Sequence, residues 1–416
     1  MTGALQQRKE RLWDLKKSSV SAIYACMHAI FRKLIHLSLA FIISAAFSVA
    51  SFRPAVRAEA PAPIRLPEYA VDGNRITRDG QTLTLHGVNW FGFDGESHVI
   101  GGLWLRTLPD MIRQMQSLGI DAVRLPICPA SLSEVPVTSV NYYINPQLEG
   151  LNARQTLLAV SRSFDAAGIS ILLDYHTTDC STISPLWYSN DHSEAQWIAE
   201  LDDATKLLST LPHFIGVDLH NEPFGATWGT GNPATDWNLA AERAGYSVLF
   251  VDPRILIIVE GIYENPLCSS NYDHFWGGNL EPEHCVPIHL PANKTVLSAH
   301  IFGTDISDPF YYKSQNFPDN LPTVWDQQFG SLSPDHALLI GEWGGKMGTD
   351  GGNPKDLVIQ KAFASYLSKR GICSGFYWSW GPNSRDTGGL LENDWRMLSP
   401  IKVKVLQRYF SDCPSN

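Results

Sequence analysis

Eight short runs rich in Val, Ile and Leu recur along the body of the chain: residues 84–89, 122–125, 170–175, 215–220, 255–260, 296–300, 337–342 and 374–378. Longer amphipathic stretches lie between or after them, at 108–118, 153–167, 193–208, 237–250, 357–369 and 402–409. Nearly continuous apolar strands suit a parallel sheet, because the crossover helices cover both of its faces. The alternation predicts an α/β fold, a (β/α)8 TIM barrel, with a doubly wound open sheet as the runner-up. Ahead of the first run, residues 69–87 read as a small N-terminal β-hairpin broken at Asp72-Gly73 and Asp79-Gly80. No Ser/Gly/Pro-rich linker divides residues 66–416, so a single domain with no appended binding module is expected.

The first 58 residues read differently. Residues 34–52 are almost continuously apolar or small, preceded by Arg32-Lys33 and followed by Pro54. This is the pattern of a secretory signal peptide, with cleavage expected after Ala58 or Ala50. An uncleaved membrane anchor is the alternative. Residues 1–58 carry 9 of the 32 basic side chains and 2 of the 42 acidic ones, which leaves the body at a net charge of -17. Such a surface repels phosphate backbones, so no nucleic-acid partner is expected. A neutral polymer meets no such repulsion, and 13 Trp, 14 Tyr and 18 Phe can supply flat apolar faces for it.

Export permits disulfides, with buried free thiols as the alternative. Cys128 and Cys180 follow the second and third runs, which would be neighbours at the top of a barrel. Cys268 and Cys285 bracket one loop, while Cys373 and Cys413 both fall near the bottom. The expected pairs are therefore Cys128–Cys180, Cys268–Cys285 and Cys373–Cys413, because paired Cα atoms must lie within about 7 Å.

Barrel chemistry sits at the carboxyl ends of the strands. Those ends carry Asn89-Trp90, Arg124, Asp174-Tyr175-His176, His220-Asn221-Glu222, His300, Glu342-Trp343 and Trp378-Ser379-Trp380. Two carboxylates, Glu222 and Glu342, thus face one mouth with Arg, His, Asn and Trp. One proton donor and one anion are what glycoside hydrolysis needs, and Trp faces can stack on sugar rings.

The runs Gly87-Val88-Asn89-Trp90-Phe91-Gly92, Val123-Arg124-Leu125-Pro126, Leu219-His220-Asn221-Glu222-Pro223, Ile340-Gly341-Glu342-Trp343-Gly344 and Trp378-Ser379-Trp380-Gly381-Pro382-Asn383 together resemble glycoside hydrolase family 5, and most of all its bacterial endo-β-1,4-glucanases. The resemblance covers essentially the whole body. It implies a retaining barrel enzyme that needs no cofactor. It also implies Glu222 as acid/base, Glu342 as nucleophile kept ionised by Arg124, and Asn221 as a partner of the sugar 2-hydroxyl. His176 and His300 match the family's site histidines, and Trp378 matches the Trp flooring the cleaved sugar's subsite. Trp90, Trp187, Trp276 and Trp380 are either sugar platforms or packing, and Asp174 supports its strand end. In three places the chain departs from the family's pattern. Phe302 stands where a Tyr hydroxyl usually donates to the nucleophile, so that Tyr311 or Tyr312 is expected to replace it or the acidity of Glu342 to differ. Gly381 replaces Asn, and Trp343 replaces Phe.

Other readings compete. Glu222 and Glu342 could be ion-pair partners of Arg124, and the two histidines could be structural. The G-x-G-x-x-A match at Gly229-Thr230-Gly231-Asn232-Pro233-Ala234 contains Pro233 and follows no strand, so it reads as a loop. There is no G-x-S-x-G, H-E-x-x-H or C-x-x-C, and no metal is expected. The function expected is a secreted, monomeric, retaining endo-β-1,4-glucanase whose partner is a β-glucan and no protein. The alternatives are the same machinery on mannan, xyloglucan or mixed-linkage glucan, or a non-catalytic glycan-binding barrel.

Overall fold

The computed structural model describes residues 65–414. The leader read at residues 1–58 lies outside them. Strands β1 (Tyr69–Asp72), β2 (Arg75–Arg78) and β3 (Gln81–Thr82) form an antiparallel sheet. The expected hairpin thus gains a third short strand, turned at Asp79-Gly80, where both residues have positive φ.

Eight parallel strands then close a barrel: β4 (His86–Asn89), β5 (Ala122–Ile127), β6 (Ser170–Tyr175), β7 (Phe214–Asp218), β8 (Leu256–Glu260), β9 (Thr295–Phe302), β10 (Leu338–Gly344) and β11 (Gly375–Tyr377). They pair in chain order, with β11 returning to β4. Outside them pack α1 (Leu108–Ser117), α2 (Ala153–Ala166), α3 (Glu194–Leu208), α4 (Trp237–Val251), α5 (Leu321–Gln328), α6 (Pro354–Arg370) and α7 (Pro400–Asp412). Several helix starts are written locally. Asn152 with Gln155 and Ser193 with Gln196 make reciprocal capping boxes at α2 and α3. Helix α5 escapes the sequence reading because it is short and carries Pro322, which is tolerated in a first turn where the missing N–H has no helical partner.

No α-helix links β8 to β9. That connection is a long loop containing one 3-10 turn, Glu281–His284, and cross-linked by Cys268–Cys285. Cys128–Cys180 and Cys373–Cys413 are also bonded, with Cα separations of 5.1 and 5.2 Å.

The small sheet decides which end of the barrel is open. Tyr69 and Ile76 are buried among Leu172, Ile215, Ile258 and Phe376, which fill the lower barrel interior. The Tyr69 hydroxyl donates to the Pro212 carbonyl at 2.8 Å, and its N–H donates to that of Arg254. The amino-terminal end is thus packed shut, and the cleft lies at the carboxyl-terminal end.

Candidate active site

At that open end lies a cleft of about 450 Å³ lined by His176, Glu222, Trp276, Phe302, Glu342 and Trp378, among others. Its floor is organised by Arg124 on β5, which is fully buried. The guanidinium donates to Glu342 at 2.7 Å, Glu260 at 2.9 Å and Asp218 at 3.0 Å, and lies 3.0 Å from Asp174. It also donates to the side-chain oxygens of Asn89 and Asn221, both at 3.0 Å. One cation therefore spans four carboxylates from β6, β7, β8 and β10. Such a buried ion tolerates desolvation only when its donors are fully used.

Glu342 reaches this position through a register shift in β10. Ile340 pairs with Ala299 and Glu342 with His300, which leaves Gly341 as the extra residue. A bulge of this kind re-aims a side chain. Gly341 suits the role because a Cβ there would lie 2.6 Å from both His300 Nε2 and Ser298 Oγ. Glu222 follows β7 in the left-handed region, at φ 48°, an uncommon conformation for a residue with a Cβ. Its N–H is fastened to Glu260 Oε2 at 2.7 Å. His300 joins the two sides. Its Nδ1 lies 3.0 Å from Glu222 Oε1 and 3.8 Å from Glu342 Oε2, while its Nε2 lies 3.2 Å from Glu260 Oε1. One oxygen of Glu222, one of Glu342 and a nitrogen of His300 all fall within 4.8 Å of one another.

Burial pushes the Glu342 carboxyl up to about 7, and nearby Glu222 adds to this against the opposing pull of His300 and Arg124. Arg124 favours the ionised form of Glu342, but burial outweighs it, in keeping with the expectation that the acidity of Glu342 differs. Asp218 is pushed well above its ordinary value by burial and then by Glu260. Glu260, despite burial, is drawn down to about 2 by His300 and Arg124. His176 loses to burial but is raised on balance to about 9, chiefly by Asp174, whose carboxylate accepts its Nδ1–H at 2.7 Å. Asp174 thus supports His176 as well as Arg124.

The structure separates the tryptophans. Trp378 lines the cleft, its ring nearly parallel to those of Phe91 and His176, with interplanar angles of 8° and 10°. Trp276 is 40% exposed, also lines the cleft, and lies on Phe224 with ring centroids 4.0 Å apart. Trp90, Trp187 and Trp380 are at most 1% exposed. They are packing, not sugar platforms: Trp90 donates to the Gly101 carbonyl and abuts Phe164 and Trp380, while Trp187 donates to Glu194. Neither proposed substitute for the missing tyrosine hydroxyl serves Glu342. Tyr312 donates to the Phe302 carbonyl at 2.6 Å, and the buried Tyr311 hydroxyl makes no hydrogen bond to Glu342. Phe302 itself lines the cleft.

Sequence reasoning missed Glu260 and Asp218. Glu260 ends the fifth apolar run and could have been added to the mouth by position alone. Asp218 lies inside β7, and only its place opposite Arg124 marks it.

Residues 78–384 match the family model for cellulase, glycosyl hydrolase family 5. The chain is 48% identical to the major extracellular endoglucanase of Xanthomonas campestris pv. campestris, over 82% of this chain and 70% of that one. An endoglucanase of Paenibacillus polymyxa is 37% identical over 82% and 86%. The solved catalytic domain of the Xanthomonas enzyme superposes with a TM-score of 0.81 at 47% identity, covering 82% of this chain and 100% of that one. A cellotetraose complex of an endocellulase variant from Pyrococcus horikoshii gives 0.80 at 40% identity, covering 83% and 98%. With two buried carboxylates at the mouth of a closed parallel barrel and these likenesses spanning most of its length, the chain belongs to the cellulase family, glycosyl hydrolase family 5, and is a glycoside hydrolase.

Proposed function

We propose that this enzyme is an exported, monomeric endo-β-1,4-glucanase that cleaves cellulose-type β-glucans with retention of configuration. The observation that carries the mechanism is the closeness of the two carboxylates, with oxygens of Glu222 and Glu342 within 4.8 Å. Retaining enzymes hold the two groups about 5–5.5 Å apart, whereas inverting enzymes leave about 6.5–9.5 Å for a water. Glu342 attacks the anomeric carbon as Glu222 protonates the departing oxygen. Glu222 then draws a proton from water, which displaces Glu342. The Asn221 side-chain NH2 is buried and makes no hydrogen bond to a described residue, so it is available to the sugar 2-hydroxyl. Trp378 offers the cleaved sugar a flat face, and Trp276 offers one further along the cleft.

The naming of the relatives as endoglucanases and the cellotetraose complex of the Pyrococcus protein support a β-glucan substrate. Side-by-side hydrolysis of carboxymethylcellulose, glucomannan and barley glucan decides among glycans. The extracellular relative supports export, with residues 1–58 as the leader and residues 66–416 as one catalytic domain. No helix among the described residues is long and apolar enough to cross a membrane. Amino-terminal sequencing of exported protein tests cleavage after Ala58 or Ala50.

The roles are tested by two variants. Glu342→Ala abolishes turnover, and azide restores some of it as a glycosyl azide of inverted configuration. Glu222→Ala damages substrates with poor leaving groups far more than activated aryl glycosides. Either variant retaining more than about a tenth of wild-type kcat on cello-oligosaccharides defeats its assignment, since such losses span decades.

A further inference from the structure

We infer that Glu260 is a positioning residue that holds His300 as an imidazolium between the two carboxylates of the cleft. The inference rests on the roles proposed for Glu222 and Glu342.

The geometry around the imidazole carries it. Both ring nitrogens of His300 face carboxylate oxygens: Nδ1 faces Glu222 at 3.0 Å and Glu342 at 3.8 Å, and Nε2 faces Glu260 at 3.2 Å. A neutral imidazole has one N–H and one lone pair. Nδ1 is hydrogen-bonded to Glu222, whereas Nε2 lies 3.2 Å from Glu260 Oε1 without a hydrogen bond, so a lone pair on either nitrogen sits close to an acidic oxygen. With Glu260 ionised, a proton on Nε2 places positive charge 3.2 Å from its carboxylate while Nδ1 still donates to Glu222. Glu260 is well placed to stay ionised, because it is fully buried yet accepts from Arg124 at 2.9 Å and from the Glu222 N–H at 2.7 Å. The other charged or titratable groups around this centre are Arg124 on β5, Asp174 and His176 at the end of β6, Asp218 on β7, Glu222 after β7 and Glu342 on β10. Burial opposes charge on His300, but Glu260 and then Glu342 outweigh it and raise its pKa well above the ordinary value.

Two glycines pack closely against the ring and the carboxylate. Gly277 covers the pair from the β8–β9 loop, and a Cβ there would lie 2.8 Å from Glu260 Oε2 and 3.2 Å from the His300 ring. Gly341 closes on the same ring from β10. Glu260 therefore touches a holder of each catalytic carboxylate: His300 and the backbone of Glu222 on one side, Arg124 with Glu342 on the other.

The test is 15N NMR of imidazole-labelled enzyme across the pH range, in wild type and in Glu260→Gln. In wild type, His300 is expected to show two protonated ring nitrogens at about pH 7, above the ordinary histidine midpoint. In Glu260→Gln, which keeps an acceptor for the Glu222 N–H, the midpoint is expected to fall by more than about one unit, and kcat on cellotetraose to fall about tenfold or more with KM little changed. Glu260→Asp, which retains the charge, restores part of both. A neutral His300 at about pH 7 in wild type overturns the inference, as does an unmoved midpoint in a folded Glu260→Gln. The wild-type measurement stands if the variants do not fold. It also reads the proton on His300 regardless of Glu222, so retained activity in Glu222→Ala would remove the acid/base assignment without deciding this one.

Discussion

Glu342 accepts one close hydrogen bond from the described residues, from Arg124, and shares that donor group with three other carboxylates. A carboxyl held this way is hard to ionise, and burial pushes it up to about 7. In the proposed nucleophile role Glu342 reacts ionised, so kcat/KM is expected to rise with pH through the neutral range. Phe302→Tyr puts a hydroxyl on the cleft wall beside Glu342. A hydrogen bond donated to the ionised form favours that form and lowers the pKa. The acidic limb should then move to lower pH by about one unit, if the new bond contributes about 1.4 kcal/mol net. A pH profile of kcat/KM on cellotetraose checks this, and an unmoved limb means that the hydroxyl does not reach Glu342. The gap is specific to position 302, because the Tyr312 hydroxyl is already committed to the Phe302 carbonyl.

Among the elements, the β8–β9 connection stands apart, since a loop replaces the usual helix and supplies both Trp276 and Gly277 to the site. Cys268–Cys285 cross-links it, closing a separation of 17 residues. A loop of about that length gives a disulfide roughly 3 kcal/mol through the unfolded chain. Replacing both cysteines with Ser should lower the melting temperature and raise KM for cellotetraose more than it lowers kcat, because the platform loosens while the carboxylates stay on β10 and after β7. Unchanged Tm and KM together would show that the loop is held by its packing alone. The two other disulfides act at opposite ends of the barrel, and their placement followed from strand order. Helix α5 and the third strand of the plug did not emerge from periodicity, because elements of eight and two residues are too short to display a repeat.

Taken whole, the body of the chain is strongly acidic while its proposed substrate is neutral. Rates on neutral cello-oligosaccharides should hardly change between about 10 and 150 mM salt, whereas kcat/KM on anionic carboxymethylcellulose should rise about twofold or more as the repulsion is screened. Parallel initial-rate measurements decide this, and an equal salt response on both substrates counts against long-range repulsion. At this scale the division between sequence and structure is clear. The closed barrel was legible because burial on both faces of a parallel strand leaves an apolar run, and eight such runs recur. The candidates Glu222, Glu342, Arg124 and His300 were legible because polar residues at the carboxyl ends of apolar runs have few other reasons to be there. Only the tertiary structure decided that Trp90 and Trp380 are buried while Trp276 faces the cleft, since an indole's sequence neighbours do not say which way a loop turns it. Only the tertiary structure brought Asp218 and Glu260 onto Arg124 and shifted β10 at Gly341 to set Glu342 beside His300. Those contacts join residues far apart in the chain, and they depend on barrel closure and register, which no local pattern encodes.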